Sequence, residues 1–164
     1  MVNIKPPVLL LTLAIAAGLG GCAGTPTRPA THDWRDAGYP VTPKRQEVVH
    51  VAKSMLGHRY LYGGDTPREG FDCSGLVFYS YERAGINVPR TAYQQLKHSR
   101  KVGFYDLRPG DLLFFQFHGR PSHVGIYIGD GSFIHAPKTG GRVSRASLEN
   151  PYWSEHLVRA GNYF

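Results

Sequence analysis

Cys73 is placed where a thiol can act as a nucleophile. It follows Asp72, precedes Ser74, and opens a segment whose apolar spacing is helical. A cysteine in the first turn of a helix faces unpaired backbone N–H groups and the positive end of the helix dipole, which favour thiolate over thiol. The same N–H groups can donate to a developing oxyanion, and Gly75 leaves room for a substrate backbone. These features predict a nucleophilic Cys73; the alternative is a small buried apolar side chain.

A nucleophilic thiol needs a base, and two of the eight histidines lie in neighbouring strand-like segments, His123 and His135. If residues 129–131 form a three-residue hairpin loop, Gly125 pairs with His135, and the two histidines are diagonal neighbours on one face, about 7–8 Å apart at the backbone. A two-residue loop would pair Ile126 with His135 and place the histidines on opposite faces. The three-residue register predicts His123 as the base and His135 as the group that orients its ring.

Three helices are predicted in the first half of the chain. They cover residues 43–56, 73–84 and about 91–97, with Pro43 suited to a helix start and Asp72 suited to cap the second helix. Their core-facing residues follow helical periodicity: Val48, Val51, Ala52, Met55 and Leu56 in the first helix, and Leu76, Val77, Tyr81 and Ala84 in the second.

Strand-like segments dominate after residues 109–110, a Pro-Gly pair. Helices first and strands afterwards predict an α+β fold, an antiparallel sheet with helices packed on one face. The predicted strands cover residues 111–117, 123–128, 132–136, 142–144 and about 157–160.

The start of the chain is typical of an export signal, over residues 1–21. Lys5 supplies a positive start, and residues 8–19 form an apolar run too short for a comfortable membrane span. The run ends in Leu-Gly-Gly before Cys22, which resembles the lipobox of bacterial lipoproteins, where cleavage before the cysteine is coupled to acylation of its thiol. We expect lipidation at Cys22; an ordinary signal peptide with a chance cysteine is the alternative.

Residues 22–42 are rich in Thr, Pro and Gly and predict a flexible tether, so the folded domain should cover residues 43–164. The chain has 19 Lys and Arg against 12 Asp and Glu, a net charge of +7. Lys5 is the one charge of the signal, so the mature chain keeps +6 (7 − 1). A basic surface suits anionic lipid or anionic wall polymer, and the exported compartment argues against nucleic acid.

The cysteine count restricts the redox chemistry. Cys22 and Cys73 are the two cysteines of the chain, and a disulfide between them is formally open in an oxidising compartment. If Cys22 is lipidated, Cys73 has no partner left. A free thiol in such a compartment indicates a chemical role.

Taken together, six segments between about residues 48 and 157 resemble the NlpC-type cell-wall peptidases, in the same order. They are residues 60–64 (YLYGG), 71–77 (FDCSGLV), 89–91 (PRT), 109–112 (PGDL), 122–129 (SHVGIYIG) and 135–136 (HA). The resemblance implies a papain-like α+β fold and hydrolysis of peptide bonds in the peptidoglycan stem by a Cys73–His123–His135 triad, with no metal or cofactor. The bond is either the one between D-glutamate and diaminopimelate or the D-alanine–diaminopimelate cross-link.

The same resemblance implies roles for residues around the nucleophile. Tyr60 would place its hydroxyl near the thiol to help substrate or oxyanion, whereas Tyr62 is expected to pack on the core. Asp72 and Ser74 would hold the free amine of a stem peptide, although capping the helix explains Asp72 equally well. Arg90 would meet a carboxylate of diaminopimelate, or else be a surface arginine.

Three functional hypotheses remain open at this point. The first is a thiol endopeptidase of peptidoglycan, acting as a monomer and held by its lipid on an outer membrane, facing the periplasm. The second is a wall-binding lipoprotein with a vestigial site. The third is a zinc hydrolase that uses Cys73, His123 and His135 as ligands, although the close cysteine pairs of structural zinc sites are missing.

Overall fold

The computed structural model describes residues 41–117 and 119–164. The predicted signal, Cys22 and the tether as far as residue 40 lie outside these residues. In the described ranges the elements follow in this order: α1 (Pro43–Ser54), β1 (Asp65–Thr66), β2 (Gly70–Phe71), α2 (Cys73–Arg83), α3 (Ala92–His98), β3 (Arg100–Val102), a 3₁₀ turn (Phe104–Asp106), β4 (Leu112–Phe117), β5 (Arg120–Gly129), β6 (Ser132–His135), β7 (Ser144–Ser147), α4 (Pro151–His156) and β8 (Leu157–Asn162).

The three predicted helices are present. α1 begins at Pro43 as predicted but ends at Ser54, so Leu56 lies beyond it and is 44% exposed rather than in the core. α2 begins at Cys73, and α3 begins after its N-cap Thr91, whose side chain accepts a hydrogen bond from the Gln94 N–H. In the described part of the chain, no helix has the length and apolarity needed to cross a membrane.

The strands form a six-stranded sheet in the order β3-β8-β4-β5-β6-β7, and each pair of neighbouring strands in it is antiparallel. The α+β prediction is therefore confirmed. β1 and β2 pair separately just before the nucleophile. Four elements were not predicted, β1, β2, β3 and α4. The three strands have only two or three residues, too few to carry a periodicity, and α4 is a helix of six residues.

The connection between β5 and β6 differs from the predicted one. Gly129 pairs with Ser132, which leaves Asp130 and Gly131 as a two-residue loop. Both have positive φ, 49° and 67°, as a type I′ turn requires. The predicted three-residue loop is therefore wrong. A β-bulge at Ile128 adds the missing residue within the strand instead.

The bulge restores the pairing on which the histidine hypothesis depends. Beyond it, Ile126 pairs with Ile134, and the same register places Gly125 opposite His135. His123 and His135 consequently lie on one face of the sheet, as predicted, although by a different turn.

Both faces of the sheet are covered. On one face α1 and α2 pack against β5 and its neighbours, with Val48, Leu76, Val77, Tyr81, Phe114, Val124 and Ile126 in the core. On the other face a second cluster contains Leu113, Phe115, Tyr127, Phe133 and Leu148, with Trp153 of α4 packed against it. The N-terminal helices therefore pack on one face, as predicted, and the other face is covered by α4, which was not predicted.

A buried ion pair joins the helical layer to the sheet. The Arg45 guanidinium donates to Asp111 at 2.7 Å, and the two side chains are 8% and 1% exposed. Asp111 also accepts from the Arg108 N–H and the Asn162 amide, while Arg45 lies 4.0 Å above the Phe164 ring. With these additional partners the pair is compensated, so it holds α1 against the end of β4.

Candidate active site

The first turn of α2 presents Cys73 to the sheet. The Asp72 carboxylate accepts a hydrogen bond from the Gly75 N–H at 2.6 Å, which caps the helix as predicted. Cys73 is a free thiol that packs against the core cluster containing Val124, and the Val124 N–H lowers the pKa of the thiol. Because Val124 directly follows His123 in β5, the thiol meets the sheet beside the predicted base.

Burial, more than the helix terminus, sets the protonation state of Cys73. Loss of solvent, with a smaller contribution from the neighbouring Asp72 charge, raises the pKa of the thiol to about 11. The N–H groups of Val124, Ser74 and Cys73 itself oppose this shift without cancelling it. The N–H groups at the helix start lower the pKa of the thiol, as expected, but burial outweighs them, so the thiol is the favoured form in the free protein at neutral pH.

His123 and His135 form a hydrogen-bonded pair. Nε2 of His123 lies 2.9 Å from Nδ1 of His135. Both residues are buried, with His123 7% exposed and His135 3% exposed. Burial lowers the pKa of His123 to about 3, with a contribution from His135, and burial lowers the pKa of His135 to about 4. Both rings are therefore neutral at pH 7, and Nδ1 of His123 is the nitrogen left to accept a proton.

Aromatic rings surround the two histidines. The Phe115 ring lies 5.9 Å from the His123 ring, and the Phe133 ring lies 5.3 Å from the His135 ring. Trp153 lies close to both, at 5.8 Å from His123 and 4.7 Å from His135. This environment explains why the imidazoles are desolvated and uncharged.

Trp153 was not predicted as a site residue, and neither was α4, the helix that contains it. A signal was available: Asn150 caps α4 through its side chain, and Pro151 occupies the first turn. Asn followed by Pro is a common helix start.

Tyr60 lies near the nucleophile. Burial raises the pKa of its hydroxyl, and the charges of Cys73 and Asp72 raise it further, so the hydroxyl stays protonated and can donate. Its N–H donates to the Gly141 carbonyl at 2.9 Å, which fixes this loop. Tyr62 does not pack on the core as predicted; it is 87% exposed.

Arg90 faces its own chain. Its Nε donates to Asp65, one terminal nitrogen donates to Asp72 and Ser74, and the other donates to Asp72 and the Gly64 carbonyl, all at 3.0–3.1 Å. Because a guanidinium has five N–H donors, none remains for a substrate. The contact of Arg90 with a diaminopimelate carboxylate stays a prediction, and it would require one of these hydrogen bonds to be exchanged for the substrate.

The same network occupies Asp72 and Ser74. The Ser74 hydroxyl donates to Asp72 at 3.0 Å, and Asp72 also accepts from the Gly63 N–H at 2.9 Å. The two side chains hold the start of α2 against the preceding loop, which supports the capping role of Asp72 over the binding of a substrate amine.

Gly75 also serves the fold. A Cβ at this position would lie 2.0 Å from the Gly64 carbonyl oxygen and 3.0 Å from Arg90. The space that we expected to admit a substrate backbone is filled by the protein's own loop, which packs directly on the first turn of α2.

The arrangement is suited to acyl transfer: a thiol, a neutral imidazole beside it, a second imidazole that fixes the first, and N–H and hydroxyl donors around the sulfur. Across the described ranges, no three His, Cys, Asp or Glu side chains are grouped to hold a metal ion. Nε2 of His123 and Nδ1 of His135 are directed at each other.

Comparison with known proteins identifies the family of the chain. The model of the NlpC/P60 family matches residues 57–162. The chain is 44% identical over 118 residues to the probable endopeptidase YafL of Escherichia coli K12, covering 69% of this chain and 47% of YafL. It is 42% identical over 126 residues to the murein DD-endopeptidase MepH of the same strain, covering 71% of this chain and 46% of MepH.

A solved structure agrees in fold. An NlpC/P60 family protein from Bacillus cereus ATCC 10987 superposes with a TM-score of 0.69 at 35% identity, over 75% of this chain and 41% of that one. The papain-like fold is thereby confirmed. The chain spans about half the length of the relatives YafL and MepH. The family model, the relatives and the fold agree, and the chain therefore belongs to the NlpC/P60 family.

Proposed function

We propose that this protein is a cysteine endopeptidase that hydrolyses peptide bonds in peptidoglycan, with Cys73 as nucleophile. The observation that carries the proposal is the hydrogen-bonded pair of His123 and His135, with 2.9 Å between Nε2 and Nδ1, on a strand whose next residue, Val124, belongs to the core cluster against which the free Cys73 packs. The similarity to YafL, a probable endopeptidase, and to MepH, a murein DD-endopeptidase, supports the same reaction and substrate class.

The acylation step begins from a neutral pair. Because the pKa of the thiol is about 11 and that of His123 about 3, a pre-formed thiolate–imidazolium pair is unfavourable. The proton therefore moves from sulfur to Nδ1 of His123 as the sulfur attacks the scissile carbonyl. The resulting oxyanion accepts hydrogen bonds from the N–H groups at the start of α2 and from the Tyr60 hydroxyl.

The imidazolium of His123 then protonates the leaving amine, and the C–N bond breaks to give a thioester on Cys73. In the second half, His123 takes a proton from a water molecule that attacks the thioester carbonyl. The C–S bond breaks, the acid product leaves, and the proton returns to sulfur. His135 accepts from the Nε2–H of His123 throughout and keeps Nδ1 directed at the reaction.

The chain is proposed to act at the cell envelope as a monomer. The lipobox-like segment that ends in Cys22 supports lipid anchoring, and residues 22–42 supply the tether. Ala23 rather than Asp follows the cysteine, which favours the outer membrane in a Gram-negative cell. Replacement of Cys22 by Ala should leave the protein unacylated by mass spectrometry; an unchanged lipidated mass would contradict the anchor.

Digestion of purified sacculi tests the reaction. Wild-type protein should release muropeptides, and Cys73→Ala and His123→Ala should release none above background. His98→Ala is the matched control, because His98 lies on the exposed end of α3 and its loss should leave the release unchanged. Full activity of the Cys73→Ala protein would refute a thiol mechanism, and loss of activity with EDTA would favour the zinc hypothesis. Mass spectrometry of the fragments identifies the bond.

A further inference from the structure

Trp153 is the one residue of α4 that reaches both histidines of the candidate site. Its indole ring meets the His135 ring almost at right angles, with centroids 4.7 Å apart and an interplanar angle of 80°. The same indole lies 5.8 Å from the His123 ring at 31°. Phe115 and Phe133 of the sheet pack against it at 5.1 and 5.2 Å, and Tyr152, an exposed neighbour on α4, packs at 5.1 Å.

The indole ring therefore spans the hydrogen bond between the two imidazoles. Because the rigid indole lies against both imidazoles, it limits the side-chain rotation of His123 and His135 that would break the hydrogen bond between Nε2 and Nδ1. It also separates the pair from water on the side of α4, which is consistent with the 7% and 3% exposure of His123 and His135.

We propose that Trp153 is a positioning residue of the reaction, which holds His123 and His135 in their hydrogen-bonded arrangement and keeps water away from both rings. This goes beyond the assignment of the triad and rests on the proposed function. Trp153 acts through the two histidines and does not touch the reacting atoms.

The groups that face the histidines are few. The titratable group on α2 is Cys73, and the two histidines of β5 and β6 face each other. His156 of α4 stacks on the Phe117 ring, with centroids 4.7 Å apart. β4 contributes the rings of Phe115 and Phe117. Burial is accordingly the main cause of the low pKa of both histidines, and removal of Trp153 should raise it.

The test compares Trp153→Ala and Trp153→Phe with wild type. In Trp153→Ala, water reaches the histidines and their pKa moves up towards the ordinary value of about 6.5. Activity on sacculi should fall at pH 7 and fall at least about fivefold more at pH 5, because the protonated base cannot accept the proton of the thiol. Trp153→Phe retains an aromatic cover and should restore the wild-type ratio of activities at the two pH values.

NMR titration of the imidazole signals supplies a readout that does not need turnover. His123 and His135 should stay neutral down to pH 5 in wild type and titrate near pH 6 in Trp153→Ala. An inactive wild-type protein with this titration would overturn the proposed function but not the role of Trp153 in shielding the histidines. Unchanged titration and an unchanged activity ratio in Trp153→Ala would overturn the role of Trp153.

Tyr152→Ala is the matched control for loosening of the helix. Tyr152 precedes Trp153 on α4, and its ring contacts those of Phe117, Trp153 and His156. Among the described residues, these ring contacts of Tyr152 do not include His123 or His135. It should lower the melting temperature without moving the histidine titration. An equal shift in both variants would reduce Trp153 to a structural residue. If Trp153→Ala fails to fold, Trp153→Leu keeps apolar volume without the flat ring and must still shift the titration.

Discussion

At the scale of single residues, the site depends on how completely its polar groups are paired. Arg90 joins the loop before α2 to the cap of that helix through five hydrogen bonds, to Asp65, Gly64, Asp72 and Ser74. A planar fork makes this possible, because it reaches partners on two sides in one geometry. The guanidinium thus holds the two residues that flank Cys73, Asp72 and Ser74, against the preceding loop.

Replacement of Arg90 by Lys should therefore be costly despite the retained charge. A lysine ammonium has three donors on a flexible stem and cannot reach all of these acceptors together. We expect the free energy of unfolding in urea to fall by about 1–2 kcal/mol and the digestion of sacculi to fall several-fold. Arg83→Lys, at an exposed position in the last turn of α2, should change neither measurement. A fully active and stable Arg90→Lys protein would contradict this role.

The reactivity of the thiol provides a second prediction at this scale. Because burial raises the pKa of Cys73 to about 11, the thiolate fraction should still be growing well above the ordinary pKa of a cysteine. In a chain with Cys22→Ala, where Cys73 is the only thiol, the rate of alkylation by iodoacetamide should rise about tenfold per pH unit between pH 7 and 10. A rate that is already maximal at pH 8 would indicate a thiolate in the free protein.

At the scale of elements, two close contacts place the catalytic groups. The first turn of α2 packs on the loop before it at Gly75, and β5 approaches β6 at Gly125, where a Cβ would lie 2.6 Å from the Phe133 ring. In both places the absent side chain makes room for a neighbour that in turn supports the site. Local sequence shows the glycines but not what fills the space beside them.

Gly75→Ala tests the contact of α2 with its loop. The added Cβ would lie 2.0 Å from the Gly64 carbonyl oxygen, and backbone atoms must move to relieve this overlap. We expect a loss of about 1–3 kcal/mol in the free energy of unfolding and a larger loss of activity, since a displacement near 1 Å can reduce a rate about a hundredfold. Glu82→Ala, at an exposed position of the same helix, is the control. Normal activity in Gly75→Ala would show that the loop adapts freely.

At the scale of the whole molecule, the nucleophile and the histidines are supported by different core clusters. Cys73 packs against the cluster beneath α1 and α2, whereas the histidine rings contact Phe115, Phe133 and Trp153 of the cluster on the other face. They meet at residues 123–124 of β5. The site therefore exists only when both layers are packed, which couples catalysis to the stability of the domain.

This coupling predicts a specific loss of stability in acid. Histidines have a pKa near 6.5 when unfolded, and burial lowers it to about 3 for His123 and about 4 for His135 in the folded protein. With folded-state values below the unfolded ones, the stability is present above pH 6.5 and is lost as the pH falls from about 6.5 towards 4.

Denaturation in urea at successive pH values measures this loss. Each histidine should contribute up to about 1.4 kcal/mol per pH unit in that window. His135→Asn should reduce the slope by about half, because one of the two contributions is gone. A slope that is flat between pH 6.5 and 4 in the wild-type protein would contradict the burial of neutral imidazoles.

Sequence alone determined the features that depend on short stretches of chain. Helix periodicity, the Asp72 cap and the place of Cys73 at a helix start follow from neighbouring residues, and so does the order of helices and strands. Tertiary structure decided the rest. The bulge at Ile128 sets the register of the histidines through pairing across strands, and Arg90 finds acceptors 16–26 residues away. Burial reverses the expected ionisation of Cys73, because desolvation is the sum of everything packed around a group, from both layers, and no local pattern contains that sum.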